Sequence, residues 1–278
     1  MPLKIFMCLL LVWVFVSGSA HAQIGNDKKY FPPSMGNIAQ TYWRLGKFDI
    51  SDNAAIDNFM RITQCDLYTE FINNEFEWQG IQRSSKEFLE SNRNNFPLRY
   101  QFLQKITLGG YDFERKGFNI AKGSSIDGIR IFEMPSLEYK MELCGDKNPI
   151  PGYPTVVQVE LSRPLNLNFF PFDEASAKAL IDNRMSKFNT LSSQERKYVD
   201  TTSYRDIVFA MNVKMFAYNA PDELVSSGGY KANILATLEE VYIYEDSTLQ
   251  NILFYKNFRV KPDRETVGNE KAEGGAEE

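Results

Sequence analysis

The side chain that most often moves protons near neutral pH is almost missing, since the 278 residues hold one histidine, His21. A Ser-His-Asp or Cys-His site needs an imidazole as its proton shuttle, so it would have to use that residue. The sequence contains no S-x-x-K, no G-x-x-x-x-G-K-[ST], no G-x-G-x-x-G and no EF-hand loop. Those absences strike out the serine–lysine, P-loop, dinucleotide and calcium-loop classes. Three cysteines, Cys8, Cys65 and Cys144, are too few for a four-thiolate zinc site.

Carboxylate chemistry is what remains. Glu75 and Glu77 flank Phe76 beside Trp78, and an aromatic next to acids suits a sugar-binding cleft. On a helix, however, residues two apart point about 200° apart, so these carboxylates diverge. Trp78 more simply packs in the core. Glu239 and Glu240 interrupt an apolar strand pattern, and a regular strand would send one to each face. A buried acid there would mark a functional site. The ordinary alternatives are a solvated face or a β-bulge that shifts the register. Phe169, Phe170 and Phe172 could line an apolar ligand cavity, though core packing is their simpler use. No catalytic, cofactor-binding or metal-ligating residue is assigned, and no cofactor is expected.

The elements around these residues begin with a leader. Lys4 precedes an apolar run from Ile5 to Val16, then small residues, then Ala20-His21-Ala22, which fits the A-x-A pattern read by signal peptidase. The run is about a dozen residues, short of the ~20 a spanning helix needs. Cleavage is expected after Ala22, giving a periplasmic or secreted protein with no integral membrane span. It would remove His21, and with Lys4 gone the mature chain would be one unit more negative than the whole chain's −5. An acidic chain without basic runs does not suit nucleic acid.

A hydrophobic fraction of 43% is that of a globular protein with a substantial core. Cys65 and Cys144 would survive cleavage, and an even pair in an oxidising compartment is most simply one disulfide, against the alternative of two buried thiols. Closing so long a loop gives about 4.5 kcal/mol as the ceiling of the loop-entropy account. No N-x-Ser/Thr acceptor occurs, which leans towards a bacterial source.

Residues 23–50 read as an extended segment around Pro32-Pro33, with Tyr42, Trp43, Leu45 and Phe48 available to pack. Ser51-Asp52 offers an N-cap, and apolar residues at three/four spacing predict helix from Ala54 to about Asn92, divided at Gly80 and stopped before Pro97. After Pro97 the period becomes two. A strand is expected over Leu98–Leu108, a turn at Gly109-Gly110, and further strands over Ile129–Met134, Leu137–Leu143 and Thr155–Leu161. Asp173 caps a second helix with Ala175, Ala179, Leu180 and Met185 on its apolar side, and Ser192-Ser193-Gln194-Glu195 matches a capping box. Strands over Ile207–Ala217, Ala232–Tyr244 and Leu249–Phe258, with a tight turn near Glu245-Asp246-Ser247, suggest an antiparallel meander. The acidic tail over 261–278 has no apolar period and is expected to be disordered.

The stretch Tyr42-Trp43-Arg44-Leu45-Gly46-Lys47-Phe48-Asp49, then Cys65, Asn74-Glu75-Phe76-Glu77-Trp78 and Tyr111-Asp112-Phe113, resembles an uncharacterised family of bacterial exported proteins, one of the domains of unknown function. The resemblance covers most of the mature chain. It implies a bacterial, periplasmic setting and assigns no catalytic residue.

The expectation is therefore a single α+β domain over 23–260, helical over 52–96 and mostly β over 97–260. Its sheet should be mainly antiparallel, or an open barrel, with one or two inserted helices, since helices and strands segregate without βαβ alternation. Its function should be that of a binding or interaction protein with an unidentified protein or small-molecule partner. The alternatives are a carboxylate-dependent glycan hydrolase and a carrier of an apolar ligand.

Overall fold

The computed structural model describes residues 29–124, 126–135, 144, 150, 152–154, 156–197, 203–225 and 229–259. The leader, the strand expected over 137–143 and the tail from 261 lie outside them.

Four helices come first. Ser34 opens α1 (Met35–Arg44) by accepting from the Asn37 N–H, so the helix begins right after Pro32-Pro33, where an extended segment was expected. Ile38, Ala39, Tyr42 and Trp43 recur at helical spacing and are buried. Asp52 caps α2 (Asn53–Thr63) by accepting from the Ala54 and Ala55 amides. Gln64 ends that helix, α3 (Cys65–Phe71) follows, and Asn74 caps α4 (Glu75–Asn92). The breaks thus fall at Gln64 and over 72–74. Gly80 sits inside α4, where its missing Cβ meets nothing within 4 Å and a helical backbone tolerates it.

The β part is a mixed, curled half-barrel sheet. Its strands are β1 (Arg99–Asp112), β2 (Gly117–Ile120), β3 (Ile129–Pro135), β4 (Val156–Leu165), β5 (Phe169–Pro171), β6 (Asp206–Val225), β7 (Gly229–Tyr244) and β8 (Ile252–Asn257). They lie in the order β3-β4-β7-β6-β1-β2-β5, with β8 also on β7. One edge of β7 is shared: β4 runs parallel to residues 231–236, and β8 runs antiparallel to residues 240–244. The parallel β4·β7 pair breaks the simple meander, because the chain leaves β4 and returns only after the inserted helices. Those are α5 (Glu174–Thr190), capped by Asp173, and α6 (Ser193–Arg196), closed by the Ser192/Glu195 capping box. Burial on α5 falls on Ala177 and Leu180, while Ala175, Ala179 and Met185 are exposed. The helix is held as much by Arg184, which donates to the carbonyls of Tyr204, Asp206 and Glu245 and so ties it to both ends of the β6–β7 hairpin.

The curl has an inside. Tyr100, Phe102, Ile106 and Leu108 of β1 share the buried face, and Phe102 meets Phe132 of β3 edge-on at 5.0 Å although three strands separate them in the sheet order. Phe170 of β5 reaches Phe254 of β8 at 5.8 Å across the other seam. The helical layer docks on the same face. Tyr100 donates its hydroxyl to the Asn37 carbonyl at 2.7 Å, Thr41 donates to the Pro97 carbonyl at 2.7 Å, and Trp43 Nε1 donates to the Tyr153 hydroxyl at 3.0 Å. The buried polar tips of Tyr100, Thr41 and Trp43 thereby gain partners, which burial demands.

Gly109-Gly110, expected to turn, lies within β1, and the ladder to β2 slips between Leu108 and Tyr111. A Cβ on Gly109 would sit 3.0 Å from the Asn119 carbonyl oxygen, so the glycine permits close passage of a neighbouring strand at a bulge. The reversal comes later, at 113–116, where Lys116 takes φ 52°. Gly117 is tighter still: a Cβ there would lie 2.3 Å from the Phe170 carbonyl oxygen and 2.4 Å from Phe169 Cζ. Gly117→Ala is expected to cost about 2–3 kcal/mol, the upper part of the overpacking range, because one clashing atom is backbone. The midpoint of urea unfolding measures it.

Candidate functional site

Glu239 and Glu240 are brought together by a bulge. Asn212 of β6 pairs with Glu240 and Val213 with Leu238, which leaves Glu239 as the extra residue. The alternation that would part the two carboxylates is broken there, and both enter one buried cluster with residue exposures of 6% and 5%. The solvated-face alternative is thus wrong and the bulge is right.

Two buried carboxylates side by side require neutralisation, since unpaired burial of either charge is prohibitive. Arg99 of β1 supplies a fork, with Nε 2.8 Å from Glu239 Oε2 and Nη2 3.2 Å from Oε1. Arg259, just past β8, places Nη2 2.5 Å from Glu240 Oε1 and 3.9 Å from Glu239 Oε2. Tyr30 donates its hydroxyl to Glu239 Oε2 at 2.8 Å and accepts from Arg259 Nη2 at 2.5 Å. On the other side Asn212 Nδ2 donates to Glu240 Oε2 at 3.1 Å, Gln101 Nε2 donates to Asn212 Oδ1 at 3.1 Å, and the Tyr242 hydroxyl reaches Glu240 at 3.4 Å. Formal charge within the four ionic groups sums to zero.

Burial alone would push the Glu239 carboxyl up. The hydrogen bonds from Arg99 and Tyr30 and the charges of Arg99 and Arg259 outweigh it and hold the group below the usual carboxylate range. The opposite holds for Tyr30, whose hydroxyl is raised far above the ordinary tyrosine value, first by burial and then by its carboxylate neighbours, against the pull of Arg259. This arrangement fixes charges in place. Each carboxylate is engaged by a guanidinium.

The other candidate acids do not meet. Glu75 and Glu77 stand exposed in the first turn of α4, where they complement the positive end of the helix. Trp78 is buried, and its Nε1 donates to Asp57 of α2 at 3.0 Å. Phe118, Phe170 and Phe172 pack on one another with ring centroids 5.8–6.2 Å apart, so these rings fill the space they might have lined. Phe169 instead stacks under the Arg115 guanidinium at 3.8 Å. Among the described residues no group of three or more Cys, His, Asp or Glu is placed to hold a metal ion, and no helix is long and apolar enough to cross a membrane.

Cys65, the first residue of α3, and Cys144 stand at disulfide distance, with sulfurs 2.11 Å and Cα atoms 5.5 Å apart. Sequence reasoning missed Tyr30, Arg99, Arg259, Gln101 and Asn212. Arg99 and Gln101 fall on the polar positions of the period-two pattern after Pro97, which marks them only as one face of a strand, and nothing local ties Tyr30 to a partner more than two hundred residues away.

A family model described as Domain of unknown function (DUF4852) matches residues 51–197, more than half of the chain. The chain belongs to that family. The resemblance read from the sequence is borne out at that level, and the matched stretch takes in Cys65, Asn74–Trp78 and Tyr111–Phe113. No curated protein and no solved structure matches the chain. The DUF4852 stretch holds β1 to β5 but not β6 to β8. Among the described residues its strands fall into two groups, β3-β4 and β1-β2-β5, which β6 and β7 join. Arg99 is the one ionic member of the cluster that lies inside it.

Two outcomes follow from this geometry. Arg99→Met should destabilise the fold by about 2–3 kcal/mol, less than the ~3–5 of a fully buried pair because the Arg99 side chain keeps 23% exposure. Adding Glu239→Gln should then cost less than the sum of the single losses, as urea unfolding of the four-member cycle reads directly. For the cysteines, alkylating the denatured mature chain should leave its mass unchanged without reductant, and add one adduct at each of Cys65 and Cys144 after reduction.

Proposed function

We propose that the mature chain is an exported, bacterial binding or interaction protein that works by presenting a surface and does not turn over a substrate. The observation that carries this reading is the state of its acid pair. A glycoside hydrolase needs one carboxyl able to give a proton and a second free to act as base or nucleophile, facing each other across an open cleft. Glu239 and Glu240 are instead buried and already engaged by Arg99, Arg259, Tyr30 and Asn212. The described residues contain no histidine that could take over proton transfer.

Export is supported by the leader pattern ending in Ala20-His21-Ala22 and by a cysteine pair within bonding reach, a combination that suits an oxidising compartment. The partner belongs to no assigned class beyond a protein or small molecule, with nucleic acid disfavoured by the acidic charge.

In the experiment that tests this, the protein is recovered from an expressing bacterium and its N-terminus sequenced. It is then incubated with peptidoglycan and with soluble polysaccharides. The expected results are a chain beginning at Gln23 in the extracytoplasmic fraction and no release of reducing ends. Glycan cleavage that disappears in Glu239→Gln or Glu240→Gln would establish the hydrolase instead, and an intact leader on cytoplasmic protein would overturn export.

A further inference from the structure

Both ends of the described chain meet at the same two carboxylates. At the N-terminal end, Phe31 lies beside β1 as a single parallel bridge to Tyr100: its N–H donates to the Arg99 carbonyl at 3.0 Å, and its carbonyl accepts from the Gln101 N–H at 3.0 Å. The neighbouring residue, Tyr30, hydrogen-bonds Glu239. At the C-terminal end, the Phe258 N–H donates to the Glu239 carbonyl at 2.9 Å, and Arg259 pairs with Glu240. The two ends also touch each other through Arg259 and the Tyr30 hydroxyl.

We propose that the Glu239–Glu240 pair forms an acid-sensitive latch, which holds both ends of the described chain against β7 and releases them together when the Glu239 carboxylate is protonated. The groups that face the pair are Tyr30 from the N-terminal segment, Arg99 and Gln101 from β1, Asn212 from β6, Tyr242 and Tyr244 from β7 itself, and Arg259 after β8. Lys214 lies opposite Arg99 in the β6 register and adds a further positive charge on that side. Two of these groups, Arg99 and Arg259, are cations that stay charged at any pH of interest. A protonated Glu239 carboxyl therefore leaves the half-buried Arg99 and Arg259 guanidinium groups short of a counter-ion, and the energetically open route is to turn one of them fully out to water. Arg259 can do so because it lies beyond β8, the last of the described strands. Tyr30 can follow because the Phe31 bridge and the short step over 32–34 lie between it and α1.

The sign follows from the Glu239 carboxyl being held below its ordinary range in the folded chain. The hold on both ends is complete above the unfolded carboxylate value of roughly 4.3 and is lost as pH falls through the lower folded value. The β6–β7 ladder carries no such charge between Phe209↔Ile243 and Met211↔Val241, so it should outlast the latch.

Hydrogen exchange of the full mature chain, followed from about pH 6 down to about pH 3 and corrected for intrinsic rates, reads this out. The amides of Phe31, Gln101 and Phe258 should lose protection together, by about tenfold or more, while those of Met211 and Val241 keep theirs. Tyr30→Phe, which removes one hydroxyl and no charge, should loosen Phe31 and Gln101 at neutral pH by about fivefold. Ends that stay protected until Met211 and Val241 open would overturn the latch. So would ends that open at different pH values, or a Tyr30→Phe chain with unchanged protection.

Discussion

Neutralising two adjacent carboxylates inside the sheet is the constraint around which the fold closes. Glu239 and Glu240 come from one strand, but the groups that make their burial tolerable come from far apart in the chain: Tyr30, Arg99, Asn212 and Arg259. Each of them must arrive for the others to be stable, since an unmatched charge at that depth costs more than a typical hydrogen bond returns. The bulge at Glu239 is what makes the pairing necessary, because a regular register would have sent one carboxylate to the aromatic interior and the other out. The cluster is thus a device for specifying register and for joining segments as much as a source of stability.

Around it the apolar architecture is ordinary in kind. Aromatic rings from β1, β3, β5 and β8 meet inside a sheet that curls from both sides, and α1 lays Tyr42 and Trp43 against the same interior. The Thr41 and Tyr100 hydroxyls and the Trp43 indole find carbonyl and hydroxyl partners there. The DUF4852 match ends before β6, yet among the described residues its two strand groups have no ladder to each other without β6 and β7. The physical unit is therefore larger than the stretch of recognisable sequence.

Much of this was legible in the residues. Period-two alternation located the starts of β1, β6 and β7 to within three residues, though β6 runs on to Val225, past the expected end at Ala217, and Asp52, Asp173 and the Ser192/Glu195 pair marked helix starts through the side-chain oxygens that the first amides require. Local signals misled where a glycine has a packing reason and not a turning one, as at Gly109-Gly110 and Gly80. The start of α1 was hidden by Pro32-Pro33, which suggested extended chain, although Ser34 and the Ile38–Tyr42 spacing were there to find. The parallel β4·β7 pair was out of reach, because nothing in either strand's composition records which edge a returning chain will take. The acid pair was found, but its fate was not. Whether two neighbouring glutamates are solvated, catalytic or ion-paired depends on arginines 140 and 19 or 20 positions away, and sequence spacing is silent about such partners.

The meeting of Tyr30 and Arg259 has a topological consequence. Their side chains touch, so the two ends of the described chain lie next to one another, and a short glycine-rich connector between them could close that body into a ring. Such a ring could be reopened at the exposed 113–116 reversal between β1 and β2, giving new termini far from the charge cluster. The order in which the strands occur along the backbone would change, while every ladder in the sheet except that one hairpin connection would keep its neighbours.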